Sequence, residues 1–312
     1  MEQQIPVTIL TGFLGAGKTT LLNHLIEQHN ETTFAIIENE FGDIGIDNDL
    51  VIGADSGIFE LSNGCICCTL NNELVETLLN LLDSDKPFDH LLIETTGIAE
   101  PDAIAAAFTS DPALQSAYRL DGTICLVDAT HAAAALHERE EARRQVTFAD
   151  VLILNKKSEA DTEKLKALEQ QLKEMNPFAS IEQADFGQVE NDILNLHAYD
   201  AEQLTQKIES ITAHEHHHHH TDDVISHSFT FNEPFDFLKF MHWTRVLLLV
   251  QGERIYRVKG ILNFATEEKQ MIFQSVRTSS SFQKGKAWPE DTTRQSRLVF
   301  IGNGLKRKPL EK

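Results

Sequence analysis

A glycine-rich segment near the N-terminus constrains the fold of this chain more than any other feature. The apolar run at residues 7–11 predicts a buried strand, and residues 18–29 predict a helix. Between them the chain reads Gly12-Phe13-Leu14-Gly15-Ala16-Gly17-Lys18-Thr19-Thr20, which fits G-x-x-x-x-G-K-[ST]. Glycines let backbone N–H groups turn inward as an anion nest, and the helix N-terminus adds the positive end of its dipole. The segment therefore predicts a phosphate-binding loop.

Two side chains of this loop predict catalysis on a nucleoside triphosphate. We expect Lys18 to reach the β- and γ-phosphates and the Thr19 hydroxyl to ligate Mg²⁺. The site also needs an acid, and the apolar strand Leu-Leu-Ile-Glu94 is followed by Thr-Thr-Gly97. We predict that Glu94 holds Mg²⁺ through water or positions the attacking water, and that the N–H of Gly97 senses the γ-phosphate. Asp128 is the alternative acid, although an acid at a strand end often caps the next helix.

Recognition of the base is predicted at Asn155-Lys156-Lys157-Ser158, where guanine-specific proteins carry N-K-x-D. Asn155 and Lys156 are predicted nucleotide contacts. In the usual motif the carboxylate accepts hydrogen bonds from guanine N1–H and N2–H, whereas Ser158 offers one neutral hydroxyl. Hydrogen bonds to charged groups contribute about 1.5–3 kcal/mol and neutral ones about 1 kcal/mol. We therefore predict reduced discrimination of guanine from adenine, unless Glu159 takes the role.

A cluster of thiols follows the turn Asn63-Gly64. The chain has 4 cysteines, and three of them are Cys65, Cys67 and Cys68. In a chain without an export signal, such neighbours favour metal or redox chemistry over a disulfide framework. Thiolates are soft ligands that prefer Zn²⁺ or Cu(I). Three buried structural cysteines, or a redox pair, are the alternatives.

The three thiolates need a further ligand, because a tetrahedral ion takes four. Candidate donors lie in Glu38-Asn39-Glu40-Phe41-Gly42-Asp43, which follows the predicted second strand at residues 34–38. A coordination shell that the thiolates alone do not complete suits a metal ion that is transferred to another protein. The fourth cysteine, Cys125, lies in an apolar run and is predicted to be a buried small hydrophobe.

The order of apolar runs predicts the fold class. Strand-like runs recur at residues 34–38, 90–94, 123–128 and 150–155, separated by helix-like stretches such as 70–82. The alternation indicates an α/β fold, namely a P-loop NTPase with a mainly parallel sheet flanked by helices. The long stretch 39–68 between two of these runs is predicted to be a functional loop.

The pattern changes near residue 212. Residues 213–223, with His214 and His216–His220, read as a His-rich linker that is either solvated or a weak metal binder. We predict a P-loop G domain over residues 1–212 and a smaller C-terminal α+β domain, a ferredoxin-like sandwich, over residues 224–312.

Charge limits the classes of partner. Lys and Arg total 27 against 48 Asp and Glu, a net charge of −21, which argues against a nucleic-acid or anionic-membrane binder. Residues 224–312 carry 15 basic and 8 acidic residues (+7), and the remainder 12 and 40 (−28). Either the two parts dock through these charges or the basic part binds an acidic partner. With no long apolar run and no signal sequence, we expect a cytoplasmic protein and leave open whether it forms a homodimer.

The combination of motifs resembles the CobW-like P-loop GTPases, in particular the YjiA-type subgroup of proposed metallochaperones. The resemblance rests on GFLGAGKTT, E-N-E-F-G, GCICC, E-T-T-G and a separate C-terminal domain, over about residues 5–200 and 224–302. It implies slow hydrolysis of GTP to GDP with Mg²⁺, and binding of Zn²⁺, sometimes Co²⁺ or Ni²⁺, for delivery to a client metalloprotein. Carried onto this sequence, the implied metal ligands are Cys65, Cys67 and Cys68 with Glu38 and Asp43.

Three other functions remain as alternatives. The first is a metal buffer or storage protein whose nucleotide site is only regulatory. The second is a P-loop ATPase or kinase of relaxed base specificity, which leaves the thiols unexplained. The third is a scaffold that binds partners through its basic C-terminal domain.

Overall fold

A computed structural model of the chain describes residues 4–38, 59–62, 72–83, 87–97, 101–213, 224–276, 279–290 and 292–310. The chain divides into two compact units, which are described separately. The first comprises Met1–Gln170 with Ala179–Leu196, and the second comprises Gln171–Phe178 with His197–Lys312.

The first unit alternates strands and helices. In chain order its elements are β1 (Ile5–Gly12), α1 (Lys18–Gln28), β2 (Phe34–Glu38), β3 (Phe59–Ser62), α2 (Asn72–Leu82), β4 (His90–Glu94), α3 (Pro101–Ser110), α4 (Pro112–Ala117), β5 (Tyr118–Asp128), α5 (Ala132–Glu138), α6 (Glu140–Phe148), β6 (Val151–Asn155), a 3₁₀ turn (Lys157–Glu159), α7 (Thr162–Met175), whose last residues belong to the second unit, and β7 (Ser180–Gln183).

The described strands of this unit form one sheet in the order β3-β2-β4-β1-β5-β6-β7, and every neighbouring pair is parallel. The central strands β1, β4 and β5 are almost continuously buried, as expected where helices cover both faces of a parallel sheet. The predicted strands at 7–11, 34–38, 90–94, 123–128 and 150–155 are confirmed. Parallel pairing places the carboxyl ends of all these strands at one edge.

Helix α1 follows the glycine-rich segment directly and packs on the sheet through one face. Leu21, Leu22 and Leu25 recur at helical spacing and are fully buried in a cluster with Leu10 of β1 and Ile36 of β2. This packing fixes the direction in which the N-terminus of α1 points.

The sequence reading was wrong where strands are short or half-exposed. Residues 39–68 were predicted to be a single long loop, but β3 interrupts them at the end of the sheet. Strand β7 was missed because each of its residues is exposed or half-buried, so no apolar run marks it. The long polar strand Ser279–Ala287 of the second unit escaped for the same reason.

The second unit consists of α8 (Ala201–Ala213), β8 (Val224–Phe231), α9 (Phe237–Gln251), β9 (Ile255–Leu262), β10 (Lys269–Val276), β11 (Ser279–Ala287), β12 (Ser296–Asn303) and α10 (Arg307–Leu310). Its strands pair antiparallel in the order β11-β10-β9-β12-β8. Because β12 lies between β8 and β9, β8–α9–β9 is a split β-α-β unit, the arrangement found in ferredoxin-like sandwiches.

Aromatic residues form much of the core of this second sheet. The Phe240 ring of α9 lies 5.4 Å from the ring of Phe273 and 5.7 Å from that of Phe264, both edge to face. Asp236 caps the N-terminus of α9, because its Oδ1 accepts a hydrogen bond from Lys239 N at 2.9 Å. The two units together confirm the predicted fold class.

The domain limits 1–212, 213–223 and 224–312 stay a prediction. Within the second unit, α8 packs against the antiparallel sheet. The His run at 214–220 lies outside the described residues. None of the helices in the described ranges is long and apolar enough to cross a membrane.

His90, at the start of β4, makes the stability of the first unit depend on pH in the acidic range. Its Nε2 lies 2.9 Å from Thr8 Oγ1, and its ring lies 5.9 Å from that of Phe34. Burial lowers the pKa of His90 from 6.5 to about 4. Between these values the unfolded chain binds a proton that the folded chain excludes, so stability falls as the pH drops from 6.5 towards 4.

The replacement His90→Gln should remove this response, because glutamine can bond Thr8 but does not titrate. We expect the unfolding free energy of the wild type, relative to that of the variant, to fall by up to about 1.4 kcal/mol for each pH unit below pH 6.5. Urea unfolding from pH 8 to pH 5 measures it, and the contributions of the carboxylates cancel in the difference. His242→Gln, at an exposed position of α9, is the control. A difference that is constant with pH would contradict the account.

Candidate functional site

The phosphate loop adopts a backbone that only glycines fit. Gly12, Gly15 and Gly17 have φ of 144°, 78° and 101°, in the region that favours glycine. A Cβ on Gly12 would lie 2.5 Å from Leu126 O, and one on Gly17 would lie 2.6 Å from Asn155 Nδ2. The neighbouring strands β5 and β6 therefore press directly on the loop.

The loop positions the two predicted catalytic side chains of α1. Lys18 is buried, and its Nζ donates a hydrogen bond to Gly12 O at 3.0 Å, so the ammonium group lies across the loop. The Thr19 hydroxyl donates to Glu94 Oε1 at 3.4 Å. The structure thus brings together Lys18, Thr19 and Glu94.

Other loop residues differ in exposure. Ala16 is fully buried, whereas the side chains of Leu14 (82% exposed) and Thr20 face solvent. The Phe13 ring lies 5.0 Å from the guanidinium of Arg139.

The segment after β4 contacts the end of β1 and, through Gly97, the phosphate loop. Thr95 N donates to Leu10 O at 2.9 Å, and Thr95 Oγ1 donates to Thr11 Oγ1 at 3.0 Å. A Cβ on Gly97 would lie 2.6 Å from Leu14 N, so glycine is required for this close approach. A displacement of the Glu94–Gly97 segment must therefore also displace residues of the phosphate loop.

Asp128, the alternative acid, is engaged in holding other groups. Its Oδ1 accepts from Thr130 N at 2.9 Å, and its Oδ2 pairs with Lys156 Nζ at 2.6 Å. Burial would raise the pKa of the Asp128 carboxyl, but hydrogen bonds from Lys156 and Thr130 outweigh it and lower the pKa to about 2. This geometry favours a structural role for Asp128 and leaves Glu94 as the acid next to Thr19.

Asn155 and Lys156 both bind the phosphate loop. The Asn155 amide is buried; its Nδ2 donates to Ala16 O at 2.8 Å and its Oδ1 accepts from Gly187 N at 3.1 Å. Lys156 Nζ donates to Gly15 O at 2.9 Å while pairing with Asp128. The end of β6 therefore ties the phosphate loop to the loop after β7.

A carboxylate that the sequence analysis missed lies beside Ser158. Asp185 Oδ1 accepts hydrogen bonds from both the N and the Oγ of Ser158, each at 2.9 Å. Glu159, the substitute considered from the sequence, is exposed, and its N–H donates to Lys156 O. Asp185 lies two residues after the end of β7, so recognising that strand would have placed it at the carboxyl edge of the sheet.

Most of the predicted metal ligands fall outside the described part of the chain. Asp43, Cys65, Cys67 and Cys68 are not among the described residues. The backbone of Glu38 is described: it ends β2, and its Cα pairs in register with Glu94 of β4 and with Ser62 of β3.

Within the described residues there is no group of three or more His, Cys, Asp or Glu side chains that could hold a metal ion. Cys125 is 1% exposed, and burial raises the pKa of its thiol to about 12. The prediction of a buried small hydrophobe at Cys125 is confirmed.

Two family profiles cover most of the sequence. The profile of the CobW/HypB/UreG nucleotide-binding domain matches residues 6–183, and that of the cobalamin synthesis protein cobW C-terminal domain matches residues 224–312.

Individual relatives and a solved structure agree with these profiles. The zinc chaperone YjiA of Escherichia coli is 36% identical over 304 residues, covering 96% of this chain and 94% of the relative. Zinc-regulated GTPase metalloprotein activator 1 of Schizosaccharomyces pombe is 33% identical over 344 residues, covering 97% and 83%. The crystal structure of the Zn(II)-bound YjiA GTPase from E. coli superposes with a TM-score of 0.76 at 30% identity, covering 99% of this chain and 97% of that one. This chain therefore belongs to the CobW/HypB/UreG family of P-loop GTPases, with a cobW C-terminal domain.

Proposed function

We propose that this chain is a Mg²⁺-dependent GTP hydrolase that acts as a zinc metallochaperone, with a CxCC metal site that responds to the nucleotide. The observation that carries the proposal is the convergence of Lys18, Thr19 and Glu94 at the carboxyl edge of β1 and β4, with Glu38 in register beside Glu94. The relatives named as zinc chaperones and as a zinc-regulated GTPase activator support the same activity.

The catalytic part of the proposal follows from charge. A triphosphate on this loop would meet backbone N–H groups, the dipole of α1 and the Lys18 ammonium, all of which favour the negative charge that the transition state carries on the γ-phosphoryl oxygens. The Thr19 hydroxyl and the Glu94 carboxylate are oxygen donors of the kind that Mg²⁺ prefers. Mg²⁺, when bound, neutralises part of the phosphate charge.

We assign slow intrinsic turnover to this site. Charge stabilisation in fast GTPases includes an arginine at the γ-phosphate, supplied in the same chain or by a partner. The Arg139 guanidinium faces the Phe13 ring, and Arg144 pairs with Glu140 at 3.0 Å. The Arg143 guanidinium donates to the carbonyl oxygens of Leu136 and His137. Each of these arginines is thus engaged in a contact within the unit.

The metal part of the proposal rests on neighbouring strand ends. Strands β3, β2 and β4 are adjacent and parallel, so Ser62, Glu38 and Glu94 share one edge. The sequence that follows Ser62 reaches Cys65 after three residues, and the sequence that follows Glu38 leads to Asp43. We infer that Cys65, Cys67 and Cys68 with Glu38 and Asp43 bind Zn²⁺, or Co²⁺ or Ni²⁺, as cargo for a client metalloprotein.

This arrangement provides a route for coupling. The γ-phosphate would order the Glu94–Gly97 segment, and β2 connects that segment to the inferred metal ligands. Hydrolysis would then release the segment and loosen the metal site, so that the ion passes to a docked client. Coupling of this kind must be reciprocal.

Loss of the catalytic side chains tests the nucleotide half. We expect Lys18→Ala and Glu94→Gln each to lower the rate of GTP hydrolysis by about 10²-fold or more, because each removes a group that stabilises developing charge or positions a reactant. Lys164→Ala, at an exposed position of α7, should keep the wild-type rate. Repeating the assay over a range of Mg²⁺ concentrations separates the two roles of Glu94. A raised Mg²⁺ requirement indicates ion holding, and a slow rate at saturating Mg²⁺ indicates water positioning. Wild-type rates in both variants would refute the assignment.

Cysteine replacement tests the metal half. We expect Cys67→Ala to abolish stoichiometric zinc binding and any change of the hydrolysis rate on adding zinc, since it removes one thiolate. Cys125→Ala should retain both, because the buried Cys125 thiol stays protonated at neutral pH. Equilibrium dialysis with metal analysis and a phosphate-release assay measure the two quantities. Equal effects of the two replacements would count against the assigned ligands.

A further inference from the structure

The contact between Ser158 and Asp185 bears on how the base is read. At Ser158 the chain has a hydroxyl where N-K-x-D motifs have a carboxylate. The hydroxyl and backbone N–H of Ser158 both donate to Asp185 Oδ1 at 2.9 Å. Two bonds to one oxygen restrict the carboxylate more than a single bond would, so Asp185 is held directly beside the position that the motif normally uses.

The other oxygen of Asp185 is available to a ligand. No group among the described residues donates a hydrogen bond to Asp185 Oδ2, and the side chain is half-exposed. An ionised carboxylate oxygen has two lone-pair sites and accepts only. It therefore presents an acceptor to whatever occupies the carboxyl edge of β6 and β7.

The loop that carries Asp185 is in contact with the end of β6 and with helix α1, which begins at the phosphate loop. Lys157 N donates to Ala184 O at 3.2 Å, and Gly187 N donates to Asn155 Oδ1 at 3.1 Å. A Cβ on Gly187 would lie 2.8 Å from Leu21 N, so the loop lies directly against the first turns of α1. Its position relative to the phosphate loop is therefore fixed by short contacts on both sides.

The next residue adds a surface suited to a base. Phe186 is 74% exposed and has a φ of 51°, an uncommon conformation for a bulky residue. An exposed ring in a sparsely populated backbone region is a feature that clusters at ligand sites. Bases stack on aromatic rings of this kind.

We propose that Asp185, held by Ser158, is the carboxylate that selects guanine in this chain. Its Oδ2 accepts hydrogen bonds from guanine N1–H and N2–H, in place of the carboxylate that N-K-x-D supplies from the preceding loop. Adenine presents an unprotonated N1 and a C–H on the corresponding edge, so it offers this oxygen a lone pair instead of a donor. This inference rests on the proposed GTP hydrolysis and revises the weak guanine discrimination predicted from Ser158 alone.

The test is a change of preference between purine triphosphates. Xanthine has a carbonyl at C2 where guanine has an amino group, and a side-chain amide can donate to that carbonyl. Asp185→Asn keeps an oxygen that accepts from Ser158 and adds the amide donor. We expect it to weaken GTP binding by about 10- to 100-fold, as loss of a charged acceptor should, and to raise the ratio of xanthosine triphosphate affinity to GTP affinity about tenfold or more. Displacement of a fluorescent guanine nucleotide in the presence of Mg²⁺ measures both.

Two further variants keep the interpretation unambiguous. Asp161→Asn makes the same charge change at the start of α7, where Asp161 Oδ1 accepts from the N–H groups of Glu163 and Lys164, and should alter neither affinity. Ser158→Asp in an Asp185→Ala background places a carboxylate at the usual position of the motif and should restore GTP binding.

The outcomes separate this inference from the proposed function. If the wild type hydrolyses GTP while Asp185→Asn leaves the GTP and xanthosine triphosphate affinities within about twofold of wild type, the inference is overturned and the GTPase assignment stands. Equal wild-type affinity for GTP and ATP would also overturn it. Failure of the wild type to bind any of the triphosphates would remove both.

Discussion

Parallel pairing of the strands is the constraint on which the site depends. It brings the carboxyl ends of β1, β4, β6 and β7 to one edge, so loops that are far apart in sequence must share that space. The phosphate loop follows β1, the acid Glu94 ends β4, and Asn155 ends β6. Each group reaches the site because its strand stops there.

The buried amide of Asn155 turns this shared edge into a rigid site. One end of the amide donates to the phosphate loop and the other accepts from the loop after β7. A buried amide that lost either partner would carry the cost of an unsatisfied polar group, about 1–3 kcal/mol. The hydrogen bonds therefore favour one relative placement of the two loops. Phosphate binding and base recognition are, on this account, fixed by the same side chain.

The sequence predicted those elements whose apolar residues follow a clear strand or helix pattern. The strand before Gly12, the leucines of α1 and the apolar strand ending in Glu94 have clear patterns, and the structure contains each of them. The half-exposed β7 has no such pattern, and it was missed. The contact of Asp185 with Ser158 could not follow from the sequence either, because it joins two residues that are 27 positions apart. The thiol cluster was identified by its chemistry alone, and it lies outside the described residues, three positions after the end of β3 in the sequence.

The central claim is that the nucleotide and the metal influence each other through β2 and β4. The most direct measurement is the zinc affinity of the wild-type chain, by competition with a chromophoric chelator, with a non-hydrolysable GTP analogue and with GDP. The account predicts that the two dissociation constants differ by about fivefold or more, and that zinc shifts the ratio of analogue to GDP affinity by the same factor. Identical zinc affinities in the two nucleotide states would contradict it.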